Sequence, residues 1–186
     1  VTRGDRYILR DDSVQKTLGG GIVVDPSAAK HRRFTDDTLA ALHRIREADD
    51  DLLIGWLLER DADPFLEKNR LAPYFPTPAA ARKKWLQALA RDGAVEDAGA
   101  YLIAPARRAD LWEGVLAHLR GYHSENPVEV GQGAAELIAS LDTPVCEPGA
   151  DWLLARMERG GVIRREGSLV SLSEHEVTFA DEDEDI

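Results

Sequence analysis

The stretch WLQALARDGAVEDAGAYLIA, Trp85–Ala104, returns later in the chain as WLLARMERGGVIRREGSLVSL, Trp152–Leu172. Each copy opens on helical spacing: Trp85, Leu86 and Leu89 in the first, Trp152, Leu153 and Met157 in the second. Each then breaks at glycine, Gly93 or Gly160–Gly161, and continues as two short apolar runs. In the first copy the runs are Ala94–Val95 and Tyr101–Ile103, with a turn expected at Ala98–Gly99. In the second they are Val162–Ile163 and Leu169–Val170, with a turn expected at Glu166–Gly167. Glycine just past a helix supplies the left-handed residue that ends it, and glycine in a hairpin turn supplies positive φ. A helix running into a two-stranded hairpin, with helical segments ahead of it, is the layout of a winged helix. Because the unit occurs twice, the repeat sets the architecture before any single element is assigned.

Working outward, each copy is preceded by matching helical segments. Thr35 or Asp36 can cap a helix carrying Leu39, Leu42 and Ile45, and Asp49-Asp50-Asp51 opens another through Leu52–Leu58 with Trp56. A short helix is expected near Phe65–Leu71. Thr77 is a candidate cap for a helix over Pro78–Arg91, with proline at its first position. The second unit reads likewise: a helix over Arg107–Tyr122 with Leu111, Val115, Leu116 and Leu119 inside, a short helix over Ala134–Leu141, and a helix over Trp152–Arg159 opened by Pro148 or Asp151. Trp85 and Trp152 occupy equivalent places and are expected to be core anchors.

The chain has 186 residues, 44% hydrophobic and 31% charged, which bounds it to one or two folded domains. No apolar run is long enough to span a bilayer, and Val1 does not begin a signal peptide. The single cysteine, Cys146, cannot form an internal disulfide, in keeping with a cytoplasmic location. The formal charge of −11 counts against a dedicated nucleic-acid-binding chain, since phosphate contacts need clustered Lys and Arg.

Residues 1–26 stand apart from the repeats. Tyr7–Leu9 reads as a strand, Arg10–Ser13 as a turn, and Thr17–Val24 as a second strand with glycines at its start, where a bulge or close backbone approach is expected. Two strands cannot bury a core alone, so this piece reads as the tail of a larger β domain or as pairing with something outside the chain. That Val1 is not methionine suggests a cut piece.

RYILRDDSVQKTLGGGIVVDP, Arg6–Pro26, followed by His31-Arg32-Arg33, resembles the end of the third domain of the bacterial selenocysteine-specific elongation factor, SelB. A related glycine-rich strand closes the last barrel of elongation factor Tu. The order of barrel tail, basic link and tandem winged helices is similar to SelB, as is Tyr122-His123 followed by Pro127 and Gly131 in the second repeat. The resemblance implies a mainly α fold with small β hairpins: tandem winged-helix domains preceded by a β segment from a translation-factor barrel. The expected divisions are 1–33, barrel tail and basic link; 34–106, first winged helix with a leading helix; 107–180, second winged helix; and 181–186, acidic tail. The resemblance further implies a full-length GTP-hydrolysing factor whose partners are selenocysteyl-tRNA, a selenoprotein mRNA hairpin and the ribosome. This chain has no GxxxxGK[ST] motif and shows two winged helices where the family has four. The chain is therefore expected to be a non-enzymatic spacer, with no cofactor of its own, between the GTP- and tRNA-binding body and the mRNA-reading end. A tandem winged-helix DNA regulator and a protein–protein adaptor are the alternatives.

Candidate nucleic-acid contacts are few. Arg82-Lys83-Lys84 begins the third helix of the first winged helix, the helix that enters the groove in helix-turn-helix readers. The competing reading is a solvated cationic face. Arg164-Arg165 lies on the second wing, diluted by Glu158 and Glu166, and Arg32-Arg33 sits in the basic link. The five histidines, His31, His43, His118, His123 and His175, are scattered with no metal-ligand spacing, and Cys146 has no histidine near it in sequence, so no metal or nucleophile is expected.

Overall fold

A computed structural model describes residues 1–28 and 36–177, and it divides into two compact units. The first comprises Val1–Arg60 and Leu66–Leu102, the second Asp61–Phe65 and Ile103 onward. The basic link, with His31, Arg32, Arg33 and the candidate cap Thr35, lies outside the described residues, as does the acidic run Asp181–Asp185.

The first unit begins with an antiparallel hairpin, β1 (Arg6–Asp11) and β2 (Lys16–Ile22). Pairing runs from Arg6–Ile22 to Leu9–Gly19, then slips to Arg10–Thr17, so Leu18 is the extra residue of a bulge. Gly20 answers to the expected close approach: a Cβ there would stand 2.5 Å from the Tyr7 carbonyl oxygen. Helix α1 (Asp36–Glu47) buries only Ile45, and Leu39, expected on the same side of the helix, is exposed. Helix α2 (Asp50–Arg60) is capped by Asp49, whose carboxylate accepts the Leu52 N–H at 2.8 Å, and it buries Leu53, Ile54, Leu57 and Leu58.

From α2 onward the two units repeat one topology. The first continues through β3 (Leu66–Glu67), a 3-10 turn (Lys68–Leu71), α3 (Ala79–Arg91), β4 (Glu96–Ala98) and β5 (Tyr101–Ile103). The second runs α4 (Pro105–Glu125), β6 (Gln132–Gly133), α5 (Ala134–Ala139), α6 (Glu147–Arg159), β7 (Ile163–Glu166) and β8 (Leu169–Leu172). The sheets are ordered β3-β5-β4 and β6-β8-β7, so in both a two-residue strand from ahead of the helix that enters the wing completes a three-stranded wing sheet. The chain is mainly α with small antiparallel sheets, in tandem winged helices.

The helices that lead into the wings, α3 and α6, end in the same glycine motif. Gly93 (φ 75°) and Gly161 (φ 72°) follow the cap residues Asp92 and Gly160. In the first, Gly93 N–H donates to Ala90 O and Ala94 N–H to Leu89 O. In the second, Gly161 N–H donates to Glu158 O and Val162 N–H to Met157 O. These paired bonds close the helix and turn the chain into the wing.

Several details depart from the expectations. The first short helix is a single 3-10 turn preceded by strand β3. Strand β4 begins at Glu96, just past the buried Val95, and both wing turns fall one residue later, at Gly99–Ala100 and Gly167–Ser168. Pro78 is the N-cap of α3 and not its first helical residue, with no side-chain cap from Thr77. Helix α6 starts at Glu147, well before Trp152. Trp85 and Trp152 are half-buried. The anchoring of α3 and α6 falls instead to Leu89 and to Leu153, Leu154 and Met157, one or more positions further along the inner face.

Candidate nucleic-acid interface

Arg82, Lys83 and Lys84 occupy the first turns of α3, but they are not equivalent. The Arg82 guanidinium donates to Phe75 O at 3.2 Å and Thr77 O at 3.1 Å, tying the proline-rich turn to the helix it precedes. Lys83 and Lys84 are exposed. Lys83 borders a shallow cleft of about 340 Å³ shared with Lys68, Asn69, Arg82, Gln87 and Asp97. Within it the Lys68 ammonium is held by Asp97 Oδ1 at 2.7 Å and Gly99 O at 2.6 Å, which spends its charge on fixing the wing. On the neighbouring side, Trp85 packs on Phe75 with ring centroids 4.7 Å apart and donates from Nε1 to Asp51 at 3.2 Å. The indole is a half-covered brace and does not present an open face for stacking a base.

The equivalent end of α6 is built differently. Aligning Trp152 with Trp85 places Gly149, Ala150 and Asp151 where the first unit has Arg82, Lys83 and Lys84. Glu147 opens the helix, so the charge there is acidic. The segment Asp61–Phe65 closes over it. A Cβ on Gly149 would lie 2.4 Å from a Phe65 ring carbon, and Phe65 meets Trp152 edge-on at 5.9 Å. Asp63 accepts the Phe65 N–H at 2.9 Å and the Cys146 N–H at 3.1 Å, and Arg107 holds the segment through Asp61 O (2.9 Å) and Ala62 O (2.7 Å). The start of α6 is thus covered at Gly149 and Ala150, and the charges beside them, Glu147 and Asp151, are negative. Burial raises the Cys146 thiol above its ordinary pKa, which disfavours the thiolate.

On the second wing, Arg164 and Arg165 are neighbours in β7 and point to opposite faces, so they do not form one patch. Arg164 donates to His175 O at 2.6 Å, and Arg165 is half-buried. Arg32 and Arg33 lie outside the described residues. Of these candidates, Lys83 and Lys84 are the two that lie together in the open among the described residues.

The histidines gave no sign in the sequence of what the fold does with two of them. His123, at the end of α4, is buried, and His175, beyond β8, stacks on it with centroids 3.6 Å apart and planes 14° from parallel. His123 Nε2 accepts the Leu172 N–H at 3.3 Å, which places its proton on Nδ1. His175 Nε2 lies 2.9 Å from Glu129 O. Burial, and then the neighbouring His175, lower the His123 pKa. The pair is a clasp between α4, the Glu129 loop and the strand end. Of the others, His118 meets Ser140 Oγ at 3.0 Å and His43 is exposed. Among the described residues no three His, Cys, Asp or Glu side chains gather as a metal site, and no helix is long and apolar enough to cross a membrane.

With this geometry in place, residues 116–172 match the family model described as Elongation factor SelB, winged helix, designated the second of that family's winged helices. The match begins in α4 at Leu116 and ends with β8 at Leu172, so it takes in the whole β6–β8 wing sheet and both α5 and α6. It includes Tyr122-His123, Pro127 and Gly131. No curated protein matches the chain.

Proposed function

We propose that this chain is the part of a selenocysteine-specific elongation factor that spans from the end of its β-barrel body through its first two winged helices, and that it acts as a spacer. The observation that carries this reading is the match of residues 116–172 to the second SelB winged helix, falling on a complete winged-helix sheet. Two features support it. A first winged helix of identical strand order stands immediately before the matched one, as the designation "second" requires. Ahead of that stands a two-stranded ribbon whose apolar residues Tyr7, Ile8, Leu9 and Leu18 are exposed, the condition of strands that belong to a larger sheet.

As a spacer the mechanism is geometric. The full-length factor would bind GTP and selenocysteyl-tRNA at one end and read the mRNA hairpin at the other, in the cytoplasm on the ribosome. These domains would set the distance between the two. An α6 whose first turns carry carboxylates and are closed at Gly149 by Phe65 suits a structural segment better than a reader. The specific observation favouring some nucleic-acid contact is the exposed Lys83–Lys84 pair, which fits a phosphate backbone touched without sequence preference.

The test is a chimaera in which residues 107–177 replace the second winged helix of a bacterial SelB, assayed with a selenocysteine-incorporation reporter. Incorporation within several-fold of the parent factor supports the reading. A folded chimaera that binds its mRNA hairpin and its tRNA yet fails to incorporate selenocysteine, with restoration by the native domain, argues against it.

A further inference from the structure

The β1–β2 ribbon is placed by polar ties and not by apolar burial. Its large hydrophobic side chains, Tyr7, Ile8, Leu9, Leu18 and Ile22, are 46–67% exposed, so little of the hydrophobic effect holds it against the rest of the first unit. Its base is nevertheless knitted in. Arg3 N–H donates to Pro73 O at 2.8 Å, while Gly4 N–H to Val23 O and Val23 N–H to Asp5 O close the ribbon's foot. The Arg3 guanidinium donates to Ile45 O at 2.9 Å and Ala48 O at 2.8 Å, a cation on the carbonyl end of α1 where the helix dipole favours one.

Three residues beyond β2, the Asp25 carboxylate is only 6% exposed. It accepts the Tyr74 hydroxyl at 2.5 Å and Arg60 Nη1 at 3.2 Å. Arg60 closes the triangle by donating to the Tyr74 oxygen at 2.7 Å, and its other nitrogen reaches Ser27 O at 3.0 Å. The guanidinium also lies over Trp56, 4.8 Å from the ring centroid. Each of the three side chains engages the other two, so none can rotate without leaving a buried charge or hydroxyl unmatched. Asp25 belongs to the foot of the ribbon, Arg60 ends α2, and Tyr74 lies in the turn that leads to α3.

We propose that Arg3, Asp25, Arg60 and Tyr74 form a rigid joint that makes the β1–β2 ribbon and the first winged helix one mechanical body, so that a displacement of the ribbon is carried to α3. The joint follows from the contacts alone and does not depend on the family reading. Together with that reading it means that the first winged helix follows the barrel body as a fixed extension.

The experiment is pulsed dipolar spectroscopy on the full chain in a Cys146→Ser background. One spin-label pair joins the ribbon tip to α3 (Asp12→Cys with Lys84→Cys), and a control pair lies within the winged helix (Glu59→Cys with Lys84→Cys). The parent is expected to give a ribbon–α3 distance distribution as narrow as the control. Asp25→Asn combined with Arg60→Met, and separately Arg3→Met, should widen it at least two-fold with the control unchanged. A broad distribution in the parent overturns the joint, as does a narrow one that survives these changes. If the charge variants broaden the control pair, Tyr74→Phe decides: it removes one hydroxyl, and a ribbon that does not widen in it counts against the proposal.

Discussion

His123 shows how a single side chain can tie folding to pH in this protein. It is buried, its Nε2 accepts the Leu172 N–H, and His175 lies flat against it. Its depressed pKa means the unfolded chain takes up a proton more readily than the folded one. The stabilisation is therefore complete above the ordinary histidine pKa of about 6.5 and declines as pH falls through it. Protonation also removes the acceptor that Leu172 uses and sets charge against His175. The protection factor of the Leu172 amide, measured by hydrogen exchange, is expected to fall between pH 7.5 and 5.5 in the parent and to hold level in His123→Gln. A parent whose protection is flat over that range would remove the clasp's role. Nothing in the one-dimensional spacing of His123 and His175 pointed to this contact, because it depends on where α4 ends relative to β8.

At the scale of elements, the wings were legible because they are written in glycine. Gly93 and Gly161 adopt the left-handed conformation foreseen for them, and a Cβ at either would meet nothing within 4 Å, so the cost of one is conformational alone. Gly93→Ala and Gly161→Ala are each expected to destabilise by about 1–2 kcal/mol in denaturant unfolding, the cost of holding an L-residue in that region. Gly160→Ala, at φ −76°, should cost less than Gly161→Ala. Equal losses at 160 and 161 would contradict the helix-ending assignment. Strands β3 and β6 were not legible. Each is two residues long and exists because β5 or β8 offers an edge to pair with, which no local pattern records. The cover over α6 was equally hidden: Phe65 and Asp63 follow α2 in sequence, and only the fold brings them to Gly149 and Cys146. The basic run at α3 was visible, but the sequence could not show that Arg82 is taken up by Phe75 and Thr77 while Lys83 and Lys84 stay free in solvent.

For the molecule as a whole, the repeat settled the architecture, while the family reading rests on the match over residues 116–172 and on the ribbon ahead of the winged helices. The account treats these domains as a spacer whose phosphate contacts would come chiefly from Lys83 and Lys84, in a chain of net charge −11. Each phosphate contact contributes a salt dependence of roughly −0.7 to −0.9 in log K against log salt, so a few contacts give weak binding that fades by roughly physiological ionic strength. The most direct measurement is a titration of a selenoprotein-mRNA hairpin and a scrambled hairpin against this chain at two salt concentrations. The account predicts weak binding, equal for the two RNAs, lost at the higher salt and reduced by Lys83→Ala with Lys84→Ala. Nanomolar binding that prefers the authentic hairpin and survives the higher salt would contradict it, and would place the mRNA reader within these two winged helices.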